Sequence, residues 1–199
     1  VRAPQGFYAF VPANLPPRID FGASLVKLLS RADAALSELS GLGRVLPNPH
    51  LLIMPYVRRE AVLSSRIEGT RASLSDLLID ELDAPPATAA QADDVREVRN
   101  YVDALEHGLK RLSELPLSLR LVREIHERLM RGVRGDKATP GEFRRSQNWV
   151  GPQGSTPETA AYVPPPVNEM HACLDDWETF LHERETLPDL IHAAIAHAQ

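Results

Sequence analysis

Apolar residues recur at intervals of three and four along most of the 199 residues, and strict apolar–polar alternation is rare. Leu25, Leu28, Leu29, Ala32, Leu36 and Leu39 form the first run, with Gly41 and Gly43 as its stop signals. A second helix is expected from about Pro55, because proline suits a first helical turn, to Gly69. The residues SLSD, Ser73 to Asp76, read as a capping box that opens a short helix, with Pro85 and Pro86 ending it. A longer helix carries Val95, Val98, Val102, Leu105, Leu109 and Leu112 on one stripe. Another starts near Ser118 and shows Val122, Ile125 and Leu129 before Gly132 and Gly135. The period returns with Met170, Cys173, Leu174, Trp177 and Leu181, and a last helix begins near Pro188 with Ile191, Ala194, Ile195 and Ala198 on one face. The pattern predicts an all-α fold.

Two stretches break the helical period. Residues 1–20 are spaced by prolines and read as an extended arm laid on the body. Gly132 to Pro166 is rich in Gly, Pro, Ser and Thr, and inside it "NWVG" (Asn148–Gly151) and "AAYVPPP" (Ala160–Pro166) are β-prone pieces around the polar turn "PQGSTPET". They predict a short β-hairpin, confined by its prolines to an edge. It is either a plain surface loop or a flap whose free backbone groups pair with an extended peptide.

Composition narrows the class without naming a chemistry. Hydrophobic content of 43% and charged content of 25% are ordinary for a globular chain, which needs no metal or disulfide to hold its core. The single cysteine, Cys173, excludes an internal disulfide and agrees with a reducing compartment. A net charge of -5 argues against a chain built mainly to wrap nucleic acid. No apolar run reaches the ~20 residues that span a bilayer, and the N-terminal stretch lacks the apolar region of a signal peptide. The expectation is a cytoplasmic protein. The chain starts with valine and stops within a helical pattern, so both ends are expected to be cuts.

Templates for catalysis mostly fail. The sequence holds no glycine-rich phosphate loop and no HExxH. His192 and His197 are five apart and face different sides of a helix, while His171 and Cys173 are two apart, so neither pair has metal-ligand spacing. Asp93–Asp94 and Asp175–Asp176 read as solvated helix faces, and no metal ligands are assigned. The segment "LSSRIEGT" (Leu63–Thr70) is different. It places Glu68 at the carbonyl end of a helix, where the macrodipole disfavours a carboxylate by about 0.3–1 kcal/mol. Ser64 stands one turn before it, near enough in spacing for its hydroxyl to support the carboxylate, and Val57 and Ala61 continue the stripe. A surface pair with Arg59, Arg66 or Arg71 is one explanation of Glu68; a cation elsewhere in the fold is the other.

Four ordered segments resemble the Fic family of proteins that carry an N-terminal inhibitory helix. "REAVLSSRIEGTRASLSDLL" (Arg59–Leu78) is similar to the inhibitory signature, a serine or threonine, three residues, then Glu-Gly or Glu-Asn. "REVRNYVDAL" (Arg96–Leu105) resembles the helix that follows, "PGEFRRSQNWVG" (Pro140–Gly151) and "YVPPP" (Tyr162–Pro166) the flap and its flanks, and "LIHAAIAHAQ" (Leu190–Gln199) the helix leading into the catalytic loop. The family's motif, His-x-Phe-x-Asp/Glu-Gly-Asn-Gly/Lys-Arg-x-x-Arg, does not occur in these residues, and the resemblance places it just beyond Gln199.

The resemblance implies a Fic-type helical fold with a short β-hairpin flap. Residues 1–85 would hold the arm and the first helices, including the inhibitory helix at about 56–69; residues 86–199 would hold the Fic core with the flap at about 146–166. It implies an autoinhibited transferase of AMP from ATP, with Mg²⁺, to a Ser, Thr or Tyr hydroxyl of a target protein. Glu68, before Gly69, would pair with the last arginine of the motif and deny it to the γ-phosphate, with Ser64 fixing the carboxylate rotamer. Trp149, Val150, Gly151, Tyr162 and Val163 would register the target segment, and Gln199 would sit at the nucleotide site's edge. A homodimer is compatible with it. Without the motif, the 199 residues alone are expected to transfer nothing and to bind ATP unproductively. A non-catalytic helical module, or a Fic fold that moves another phosphate-containing group or removes AMP, are the alternatives.

Overall fold

Residues 1–3, 6–82, 88–133, 139–183 and 186–199 are described by the computed structural model. Among them the chain forms helices α1 (Ala23–Val45), α2 (His50–Ile67), α3 (Leu74–Asp80), α4 (Ala89–Arg111), α5 (Leu119–Leu129), α6 (Val167–His182) and α7 (Asp189–Ala198). The fold is all-α. Three of the helices begin where a hydroxyl on extended backbone accepts an otherwise unbonded amide: Ser73 from Asp76, Thr88 from Gln91 and Ser118 from Leu121. At α3 the capping box is complete, since the Asp76 carboxylate accepts the Ser73 amide in return at 2.8 Å. None of the described helices is long and apolar enough to cross a membrane.

The chain divides into two compact units, one made of Val1–Ala34 with Phe143–Gln199, the other of Ala35–Glu142. The contiguous unit is organised around α4, which packs against α2, α3 and α5. Its core joins Ala61 and Val62 of α2, Ala72, Leu77 of α3, and Val95, Val98 and Val102 of α4. Leu77 and Val98 are sealed from solvent, and each such burial stabilises the fold by about 1.5–3 kcal/mol. Gly108 lets α5 come close, since a Cβ there would lie 2.9 Å from Ile125 Cδ1. Asn100 is buried beside these leucine and valine faces because its amide closes the end of α5. Its Nδ2 donates to the carbonyls of Leu129 at 3.0 Å and Arg131 at 2.8 Å.

In the discontinuous unit, α6 and α7 bury Phe180 and Leu181 against His192. The His192 ring stacks on Phe180 with centroids 4.2 Å apart, and its Nε2 lies 2.8 Å from the Phe180 carbonyl oxygen. Trp177 Nε1 donates to the Ala196 carbonyl at 2.9 Å. The N-terminal arm belongs to this unit: Leu15 N donates to Asp176 Oδ2 at 2.9 Å, and Ala3, Phe7 and Ala9 are buried with Val163.

Several expectations shift. Helix α1 runs through Gly41 and Gly43 to Val45, and of its stripe only Leu25, Leu29 and Ala32 are half-buried while Leu28, Leu36 and Leu39 are exposed. Helix α2 begins at His50, so Pro55 lies inside it rather than in its first turn. Leu109 and Leu112 are exposed; Ala104 and Gly108 take the buried side of α4 instead, because the residues facing α5 must be small. Leu121, rather than Val122, is the fully buried residue of α5. On α7 the covered position is His192, whereas Ala194 and Ala198 face solvent. The expected stops at Pro85, Pro86 and Gly135 lie outside the described residues.

Candidate functional site

The end of α2 is built by one glycine. Gly69 has φ +97°, a region that side chains with a Cβ rarely adopt, and there the chain reverses. The Thr70 amide then donates back to Ser65 O and the Gly69 amide to Arg66 O, both at 3.1 Å, which closes the last carbonyls in a Schellman arrangement. Thr70 is buried, and its hydroxyl donates to Glu97 Oε2 on α4 at 3.2 Å. This turn leaves Glu68 as the C-cap residue with its side chain exposed, not on a buried stripe as the spacing suggested. The buried stripe of α2 is rotated by one position and runs through Ala61, Val62 and Ser65.

Ser64 and Glu68 are not joined here. The Ser64 hydroxyl donates to Glu60 Oε1 at 2.8 Å, one turn toward the N-terminus. Neither does any of Arg59, Arg66 or Arg71 pair with Glu68, so among the described residues its carboxylate makes no ion pair or side-chain hydrogen bond. The surface-pair explanation of this residue therefore fails. Ser64 and Glu68 instead line a cavity of about 600 Å³ together with Thr70, Glu97, Tyr101 and His126. The last three were missed from the sequence, where nothing in their spacing ties α4 and α5 to the end of α2. His126 Nδ1 accepts the Gly141 amide at 2.9 Å, so that nitrogen carries no hydrogen and Nε2 does. With two carboxylates and hydroxyls on its wall, the cavity is suited to a cationic donor group.

The flap lies in the discontinuous unit. Its hairpin is a single antiparallel pair: Val150 N donates to Tyr162 O at 2.8 Å and Tyr162 N to Val150 O at 3.1 Å. Pro152 on one side and Pro164 to Pro166 on the other cannot donate to a longer ladder. The tip is held by Trp149 Nε1 donating to Ser155 O at 2.9 Å. Gly151 must be glycine-sized, as a Cβ would meet Ser155 Oγ at 2.5 Å. Trp149, Val150 and Tyr162 are exposed, whereas Val163 is buried. The Val163 side chain is turned into the protein, and its carbonyl oxygen accepts the Phe10 amide at 2.9 Å. Gln199 follows α7, where its Nε2 donates to Ala13 O at 3.2 Å.

Two family models match the chain: the Fic/DOC family N-terminal model over residues 26–110 and the Fic/DOC family model over residues 116–199. The second match takes in the flap, α6 and α7, and the first takes in α2 with Ser64 and Glu68. On these matches and its helical fold, the chain belongs to the Fic/DOC family.

Proposed function

We propose that these residues are the inhibitory helix, flap and scaffold of a protein adenylyltransferase, an enzyme that moves AMP from ATP to a hydroxyl of a target protein. The observation that carries this reading is Glu68: a carboxylate without an ion-pair partner among the described residues, held at the unfavourable end of α2 on the wall of a cavity with a second carboxylate, Glu97. A side chain so placed costs stability unless a cation comes to it, and a bidentate guanidinium is the strongest such partner. In the family that guanidinium is the last arginine of the catalytic motif, which otherwise receives the γ-phosphate. Pairing with Glu68 would remove it from ATP and leave the α-phosphate out of line with an attacking hydroxyl.

The division of labour follows. Gly69 and the buried Thr70 fix where Glu68 stands. Ser64, hydrogen-bonded to Glu60, lies on the same cavity wall and becomes available to Glu68 by a rotamer change. On the flap, Val150 spends its amide and carbonyl on Tyr162, so the outward backbone of Trp149 and Gly151 is the edge for an extended target segment. The family's Mg²⁺ and phosphate ligands belong to the catalytic motif, which these 199 residues do not contain, and no step at the metal is assigned to them. ATP is the substrate and Gln199 would border its site. A cytoplasmic location belongs to the same reading.

The test is Glu68→Gly in the chain extended through the catalytic motif, incubated with Mg-ATP labelled on the α-phosphate. Self-labelling should rise by at least about tenfold, as a lost charge-assisted pair of about 1.5–3 kcal/mol requires. Labelling equal to that of the unsubstituted chain would reject the inhibitory role, and a mass shift other than adenylyl would replace the transferred group.

A further inference from the structure

A hairpin of one bonded pair, with prolines at its flanks, is too small to hold its own shape in water. Its base is braced by Gln147 Nε2 donating to Pro164 O at 3.0 Å and by Arg144 donating to the Pro165 carbonyl, and on the Val163 side the arm adds a further support. Phe10 N donates to Val163 O at 2.9 Å. The Phe10 ring sits 6.1 Å from that of Tyr162, tilted by 43°. Ala3, Phe7 and Ala9 form a buried cluster with Val163, and Ala160 packs against it. Successive residues of extended backbone point their hydrogen-bonding groups in opposite directions. Tyr162 therefore faces Val150 while the Val163 carbonyl faces the arm, and the order across the flap is arm, then 162–163, then 149–151.

We propose that the N-terminal arm is a structural strand of the flap, with Phe10 as its positioning residue. By occupying the Val163 side, the arm directs an incoming extended segment to the Trp149–Gly151 edge. That choice of edge rests on the function proposed above; the arm's role as a strand does not. The burial contrast agrees with the assignment: Val163, on the arm side, is 5% exposed, whereas Val150, on the far side, is 65% exposed.

The experiment is amide hydrogen exchange on the 199-residue chain, read at Val150 and Tyr162, whose amides bond to each other's carbonyls. Phe10→Pro removes the donor to Val163, while Phe10→Leu keeps it and keeps an apolar side chain. In Phe10→Pro both amides should exchange at least about tenfold faster than in Phe10→Leu, and the amides of Val98 and Val102 in α4 should be unchanged. A chain lacking residues 1–12 should show the same fast exchange, and adding a synthetic peptide of those residues in trans should slow it again. Equal rates in the two Phe10 variants, or a peptide that restores nothing, would overturn the proposal. Exchange needs neither ATP nor a target. An extended chain that stays inert in the Glu68→Gly test would remove the proposed function and leave this result standing.

Discussion

At the level of single residues, the end of α2 shows how a glycine sets the position of a charge. Nothing stands within 4 Å of a Cβ at Gly69, so a substitution there meets no steric neighbour. The cost lies in the backbone, since φ is +97°. Gly69→Ala should lower stability by about 1–2 kcal/mol in urea titration, and Gly69→Asn by less, because asparagine tolerates positive φ better. A Gly69→Ala chain as stable as its parent would mean that the turn is not held in this form. The glycine and the glutamate were both legible in the sequence as a helix end. The partner of Ser64 was not, because Glu60 and Glu68 are each four residues away and spacing cannot choose between them. The structure does: Glu68 is the C-cap residue and has left the helical backbone conformation, whereas Glu60 is inside the helix, and the hydroxyl takes Glu60.

At the level of elements, α4 and α5 are joined by a charged cluster as well as by apolar contact. Glu124 of α5 accepts from Arg111 Nε at 2.9 Å and Nη2 at 3.2 Å, with Arg120 Nε at 3.2 Å and His107 Nε2 at 3.4 Å around it. The Arg111 guanidinium above all, then Arg120 and His107, hold this carboxyl at about 2, well under its ordinary 4.5. Protonation is thus harder in the folded chain than in the unfolded one. The stabilisation is fully present above pH 4.5 and is lost as pH falls toward 2. Thermal unfolding followed from pH 6 to pH 2 should show a steeper acid decline in the parent than in Glu124→Gln, the two curves converging at the acid end. Parallel curves would dissociate Glu124 from Arg111. The helices themselves were readable from their periods and caps, as Ser73, Thr88 and Ser118 show. Which face each buries was read less well, off by one position on α2 and wrong at the C-terminal end of α4, because that depends on the neighbour's shape. Asn100, polar yet buried, could not be recognised as core from its own type; its reason is the two carbonyls at the end of α5.

At the level of the whole chain, order along the sequence and membership of a compact unit are different things. The family resemblance was legible because its segments occur in order, but the arm of residues 1–20 and the flap at about 146–166 lie in one unit although most of the chain separates them. No local pattern announces such a pairing; it exists through Phe10 and Val163. Residues 35–142, by contrast, are continuous, and α1 brings no buried residue to them. Their core draws on α2, α3 and α4, with α5 tied to α4 by Asn100 and Glu124. A fragment of residues 46–142 should therefore fold alone, with a helical circular dichroism spectrum and one cooperative thermal transition. Val98→Ala in that fragment should cost about 2 kcal/mol, the same as in the 199-residue chain, since the side chain would have the same neighbours in both. A fragment that is helical without a cooperative transition would show that its apolar faces need the other segments. A smaller loss from Val98→Ala in the fragment than in the whole chain would show the same dependence for this core alone.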